Sequence, residues 1–138
     1  MDITIDPRIT STCFTLADWP LCRVFLKNNS DYPWFILVPR QENIQEIDQL
    51  PQALQHTLID EISRLSQIVK SHYQPDKVNI ATLGNIVSQL HIHVVARFKE
   101  DNLWPYGLWQ ASQTSTPYPE ENVQTLLQQL RPAVILRQ

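Results

Sequence analysis

Gln89-Leu90-His91-Ile92-His93-Val94-Val95-Ala96-Arg97 is the stretch from which the rest of this 138-residue chain can be read. Successive side chains of a β-strand point to opposite faces, so Gln89, His91, His93 and Val95 share one face while Leu90, Ile92 and Val94 share the other. The second set is bulky or β-branched, as a buried sheet face selects. The first set holds two of the chain's four histidines. Their Cα atoms fall roughly 6.5 to 7 Å apart along the strand, so both imidazoles can act on one substrate group such as a phosphate. One face reads as core and the other as chemistry.

Working outward, Leu83-Gly84-Asn85 turns the chain before this strand, which is expected to begin near Val87. Gly84 is one of only two glycines, and marks a place where the backbone takes a positive φ or approaches something closely. Lys77 to Thr82 reads as the preceding strand. From Pro51 to about Tyr73, Leu54, Leu58, Ile62, Leu65 and Val69 recur at spacings of three and four, one face of a long helix that Pro75 cannot continue. Leu21 to Lys27 and Trp34 to Val38 read as an antiparallel hairpin joined by the turn-forming Asn28-Asn29-Ser30-Asp31. Cys13-Phe14-Thr15-Leu16 fits a strand or a helical turn equally well. Beyond Arg97, Asn102 to Trp109 is aromatic and kinked by Pro105, suiting a hydrophobic flap over the core, a lid beside the site or a dimer contact. Residues 110–118 read as a linker, and Glu120 to about Leu130 as a short helix ended by Pro132.

The length suits a single domain over residues 1–138, and 43% hydrophobic with 18% charged residues suits a folded one. A net charge of −3 without any Lys/Arg run argues against a nucleic acid polymer as partner but leaves room for a small anion. Cys13 and Cys22 have neither metal-ligand nor disulfide-framework spacing. The N-terminus lacks the regions of a signal peptide, and Trp34 to Val38, the longest apolar run, is too short to span a bilayer. A cytoplasmic location without membrane association is the expectation.

On the residues alone, His91 and His93 admit three readings. They could be structural. They could ligate a metal, although a third ligand would have to come from His56 or His72, which the helix does not obviously aim at this strand. Or a neutral imidazole could attack phosphorus while its neighbour stabilises charge on the phosphate oxygens.

The stretch and its surroundings resemble the histidine triad (HIT) hydrolases and nucleotidyl transferases, whose signature is His-φ-His-φ-His-φ-φ with φ apolar. Here it reads Gln89-Leu90-His91-Ile92-His93-Val94-Val95, with glutamine in place of the first histidine. The likeness takes in Trp34 to Arg40, the long helix, Leu83-Gly84-Asn85 and Asp101-Asn102-Leu103-Trp104-Pro105, and points to the bacterial branch of HIT family hydrolases. It implies an α+β, HIT-like fold: a five-stranded antiparallel sheet with one long helix and a short C-terminal helix, assembled as a homodimer. It further implies cleavage of a nucleoside 5′-phosphoryl bond, in a diadenosine polyphosphate or similar small nucleotide, through a nucleotidyl-histidine intermediate.

By position the nucleophile falls on His91, its tautomer set by the backbone carbonyl of Gln89, and the donor to phosphate oxygens falls on His93. Gln89, His91 and His93 are thus the catalytic positions, with Asn28, Gly84 and Asn85 against the substrate. No cofactor and no metal are called for. Many members begin the strand that here starts at Trp34 with a histidine that communicates with the first triad histidine. Trp34 and Gln89 together replace both ends of that relay, which suggests a rewired site that favours good leaving groups. The alternatives are a nucleotide-binding dimeric module without catalysis, or a metal-dependent hydrolase using His91 and His93 as ligands.

Overall fold

The computed structural model describes residues 3–109 and 115–135. Its elements are α1 (Pro7–Thr10), β1 (Cys13–Asp18), β2 (Cys22–Lys27), β3 (Trp34–Pro39), α2 (Gln52–Tyr73), β4 (Lys77–Ala81), β5 (Ile92–Arg97) and α3 (Glu120–Ile135), with a 3₁₀ turn at Ile47–Gln49. The strands form one sheet in the order β1-β2-β3-β5-β4, antiparallel at every pairing. This is the expected α+β, five-stranded architecture.

Strand alternation divides the molecule into two layers. Val24, Leu26, Phe35, Leu37, Ile92, Val94 and Ala96 project to the face covered by α2 and α3. Phe25, Trp34, Ile36, Val38 and Val95 project to the other, where Ile5, Ile9, Tyr32 and Leu108 cover part of them. β3, buried at every residue, is covered on both sides. Its hairpin to β2 turns through Asn29, a buried residue whose side-chain oxygen accepts the Asp31 N–H at 2.9 Å.

α2 packs through Leu58, Ile62, Leu65, Ile68 and Val69, each such side chain stabilising by about 1.5–3 kcal/mol when fully buried. It stops where Gln74 turns left-handed (φ 51°) and gives its N–H to the Lys70 carbonyl, with Pro75 beyond. Its one buried charge, Glu61, accepts the N–H groups of Leu21 (2.9 Å) and Cys22 (2.8 Å) and so ties the start of β2 to the middle of the helix.

Four local readings are corrected or resolved. Cys13–Asp18 is a strand. α1 was not foreseen; Asp6 caps it by accepting the Arg8 N–H at 2.9 Å, and Ile9 buries it. The signature strand begins at Ile92 and not near Val87, because the Leu90 N–H leaves the ladder for the Ile44 carbonyl at 2.9 Å. Pro132 does not end the last helix. Its missing N–H costs on the order of 3 kcal/mol, yet Leu130 and Val134 on either side of it are fully buried, and the Trp19 indole N–H donates to the Val134 carbonyl at 3.1 Å. Packing outweighs local propensity there. No helix among the described residues is long and apolar enough to cross a membrane.

Candidate active site

The alternation expected of the signature survives its late start. Leu90 joins Ile92 and Val94 in the core, while His91 and His93 line a cavity of about 830 Å³ on the opposite face. Farther along that face is Arg97, almost wholly buried, which grips Asp101 through Nε (2.8 Å) and a terminal nitrogen (3.1 Å) and reaches Asn79 at 2.9 Å. This anchors the start of the aromatic segment. The segment then returns to bury Leu108 and to set the Trp109 ring edge-on to His93 (centroids 5.4 Å apart) and Trp34 (5.7 Å).

The remaining walls come from separate elements. The end of β2 brings Lys27 and Asn28, the β4–β5 connection brings Gly84 and Asn85, and the α1 region brings Arg8 and Thr12. Gly84 has φ +79°, while a Cβ there would meet nothing closer than the Val87 carbonyl at 3.7 Å; backbone conformation, not crowding, calls for glycine. Asn28 accepts the Tyr118 N–H on its side-chain oxygen at 2.8 Å, which leaves its amide hydrogens as donors. Among the described residues no carboxylate lines the cavity, whereas Lys27 and Arg8 do.

The two histidines are held in opposite tautomers. His91 Nδ1 lies 2.7 Å from the Gln89 carbonyl oxygen. A carbonyl only accepts, so Nδ1 carries the proton and Nε2 the free lone pair. His93 Nδ1 instead receives the Trp34 indole N–H at 2.9 Å. An indole only donates, so this Nδ1 carries the lone pair and Nε2 the proton. The rings sit 4.9 Å apart at 73°, one nucleophilic nitrogen beside one donor. Burial, reinforced by His91 and Lys27, pushes the His93 pKa down to about 3, so the ring is neutral at any physiological pH. Burial likewise lowers the Lys27 pKa; its ammonium lies 4.1 Å over the Trp34 ring.

Five of the six residues singled out from the sequence thus line one cavity: Asn28, Gly84, Asn85, His91 and His93. Gln89 contributes its carbonyl to His91, but its side chain turns away to residues 4–6, accepting the Asp6 N–H at 2.8 Å and donating to the Thr4 carbonyl at 3.1 Å. Lys27 and Arg8 were missed, whereas Trp109 belongs to the segment read as a flap, a lid or a dimer contact. Lys27 had a signal: it shares a strand face with Phe25, opposite the core-facing Val24 and Leu26, and immediately precedes Asn28. Arg8, ion-paired to Asp6 at 2.8 Å, depends on a helix the sequence did not announce. Among the described residues no three His, Cys, Asp or Glu side chains are grouped to hold a metal ion.

Residues 9–100 match the family profile described as the HIT domain. Among solved structures, a histidine triad protein from Marinobacter aquaeolei VT8 is 36% identical over the full length of both chains, with a TM-score of 0.93. The histidine triad protein blr8122 from Bradyrhizobium japonicum is 35% identical, the match covering 94% of this chain and 96% of that one with a TM-score of 0.89. A histidine triad protein from Sinorhizobium meliloti 1021 is 34% identical at the same coverage and TM-score. No protein of curated function matches the sequence.

Proposed function

Because this chain belongs to the HIT domain family, we propose that it hydrolyses or transfers nucleotidyl groups, with His91 as nucleophile toward a nucleoside 5′-phosphoryl bond. The observation that carries this reading is the pairing of tautomers: a lone pair on His91 Nε2 beside an N–H on His93 Nε2, in a cavity lined by Lys27 and, among the described residues, by no carboxylate. The His91 lone pair attacks the α-phosphorus, the bond to the departing phosphate chain breaks, and that chain leaves with the electron pair. His93, Lys27 and the Asn28 amide stabilise charge on the phosphate oxygens. The Gln89 carbonyl, already accepting the Nδ1 proton, supports the positive charge that the ring acquires as a nucleotidyl-imidazole. Water then attacks phosphorus and gives its proton to bulk solvent, while the P–N bond breaks and its electron pair returns to His91 Nε2.

Gln89 stands where the signature has its first histidine, and its amide cannot supply a proton to a leaving group. Substrates that leave without protonation, such as dinucleoside polyphosphates, are therefore preferred over phosphoramidates. The working form in this reading is a cytoplasmic homodimer. Free thiols at Cys13 and Cys22 agree with a reducing compartment, and the outer edge of β4, with half-exposed Ile80, offers a surface for a second copy.

Intact-mass measurement after brief incubation with diadenosine tetraphosphate tests the chemistry. A nucleotide-sized adduct or turnover in the wild type, lost in His91→Ala, is the expected result. Binding without either would leave a nucleotide-binding module, and comparable kcat/KM for adenosine phosphoramidate would refute the leaving-group preference. Light scattering on the purified protein tests the dimer.

A further inference from the structure

Trp34 sits among the Lys27 ammonium and the His93 and Trp109 rings in a way that the catalytic reading does not by itself require. It is almost completely buried on β3, opposite Val95 and so one step diagonal from His93 on the same sheet face. Three contacts fix its plane: the Lys27 ammonium over its face, the Trp109 ring against it at 78°, and the His93 ring edge-on at 73°.

We propose that Trp34 is a positioning residue: its indole N–H holds His93 as a neutral ring protonated only on Nε2, a permanent hydrogen-bond donor to the oxygens of the bound phosphate. This rests on the nucleotide reading above for the identity of the acceptor, but not for the state of the ring.

The chemistry of position 34 decides the point. An indole offers one donor and no acceptor, so a His93 cation or the Nδ1–H tautomer would set two N–H groups against each other at 2.9 Å, buried from water. A histidine or hydroxyl at 34 could donate or accept and would leave either tautomer open. The charged and titratable groups around His93 act in the same direction. His91 beside it on the strand and Lys27 reaching across from β2 both oppose a cation, while Arg8 at the cavity wall is ion-paired to Asp6. Arg97, two strand positions beyond Val95, is occupied by Asp101. Among the described residues no carboxylate lines the cavity to favour a cation. His93 therefore donates a hydrogen bond of constant strength across the physiological range and never acts as an imidazolium acid. A leaving group gains no proton from it, which narrows substrates to those whose departing oxygen belongs to a phosphate or another weakly basic group.

The test is nitrogen-15 NMR on the full-length protein labelled at histidine, with the His93 ring assigned from its absence in His93→Gln. In the wild type, Nε2 is expected to carry the proton and Nδ1 the lone pair, unchanged between about pH 8 and about pH 5. In Trp34→Phe the ring is expected to exchange between tautomers, with kcat for diadenosine tetraphosphate falling about tenfold or more and KM changing less. A wild-type His93 protonated on Nδ1, or titrating like a free imidazole, overturns the proposal even if Trp34→Phe fails to fold. So does a folded Trp34→Phe with the wild-type tautomer intact. The expected tautomer in a wild type that neither binds nor turns over the dinucleotide would fault the nucleotide reading and leave the Trp34 contact standing.

Discussion

Asp101→Asn puts the bracing of the site to a quantitative test. The Asp101 carboxylate accepts from Arg97 Nε at 2.8 Å and a terminal nitrogen at 3.1 Å, and from the N–H groups of Phe98 (3.3 Å) and Leu103 (3.1 Å). The two side chains are 1% and 7% exposed, so this is a buried pair. Asparagine keeps the shape but removes the charge and turns one acceptor into an NH₂ facing donors. Breaking one side of a buried ion pair costs about 3–5 kcal/mol. With the shape kept and Asn79 still on Arg97, the low end applies, about 3 kcal/mol. An unfolding entropy of about 2.1 cal/mol/K per residue makes that a fall of about 10 °C in Tm for a chain of this length. Thermal and urea melts followed by circular dichroism read it directly. A fall below about 3 °C would mean the pair is screened like a surface one, and would refute the argument. The hydrogen bonds from Arg97 hold the Asp101 pKa below the usual carboxylate range. Its contribution is thus present above about pH 4 and lost as pH falls through the lowered pKa, so the variant should lack that part of the acid destabilisation. Because the same pair anchors the segment that carries Trp109, KM should rise in the variant that still folds.

His93→Gln should flatten a second pH dependence. With the native pKa near 3 and the unfolded one near 6.5, only the unfolded chain takes up a proton between them, so wild-type stability should fall by about 1.4 kcal/mol per pH unit of acidification across that window, as urea melts at stepped pH would show. Lys27→Met, which keeps an apolar stem over Trp34 but no charge, should raise KM for diadenosine tetraphosphate about tenfold by removing one charge-assisted contact; an unchanged KM would take Lys27 out of the site. Gln89→Ala should speed hydrogen exchange at residues 3–10, which the side chain clamps, while leaving the His91 tautomer as it is because the carbonyl remains.

What was legible in the sequence was whatever a period could carry. Alternation separated His91 and His93 from Leu90, Ile92 and Val94, and the three-and-four spacing of Leu58, Ile62, Leu65 and Val69 marked the helix that covers the core face. The strand start, the run of α3 through Pro132 and the existence of α1 were not legible, since each is settled by a distant partner: Ile44 for Leu90, Trp19 for the last turn of α3, Gln89 for residues 4–6. Lys27 was overlooked for the same reason. Its face could be read from Phe25, but its place over Trp34 requires β2 and β3 to be side by side.

The two departures from the signature show why position in a motif and work in a site are separable. In the proposed mechanism Gln89 can stand where the signature has a histidine because His91 is held by the backbone oxygen at that position, which any residue supplies. Its side chain was then free to be recruited elsewhere, and it holds the backbone on both sides of Ile5, and with it the chain that leads into α1 and Arg8 at the cavity wall. Trp34 is different, because there the side chain itself makes the contact, and a donor without an acceptor imposes one state on His93 where a histidine would have allowed two. Read along the chain, the pair looks like a relay that has lost both ends. Read in space, one holds the His93 ring and the other the N-terminal wall, and in the proposed mechanism no proton travels between positions 34 and 89 and the leaving group departs unprotonated.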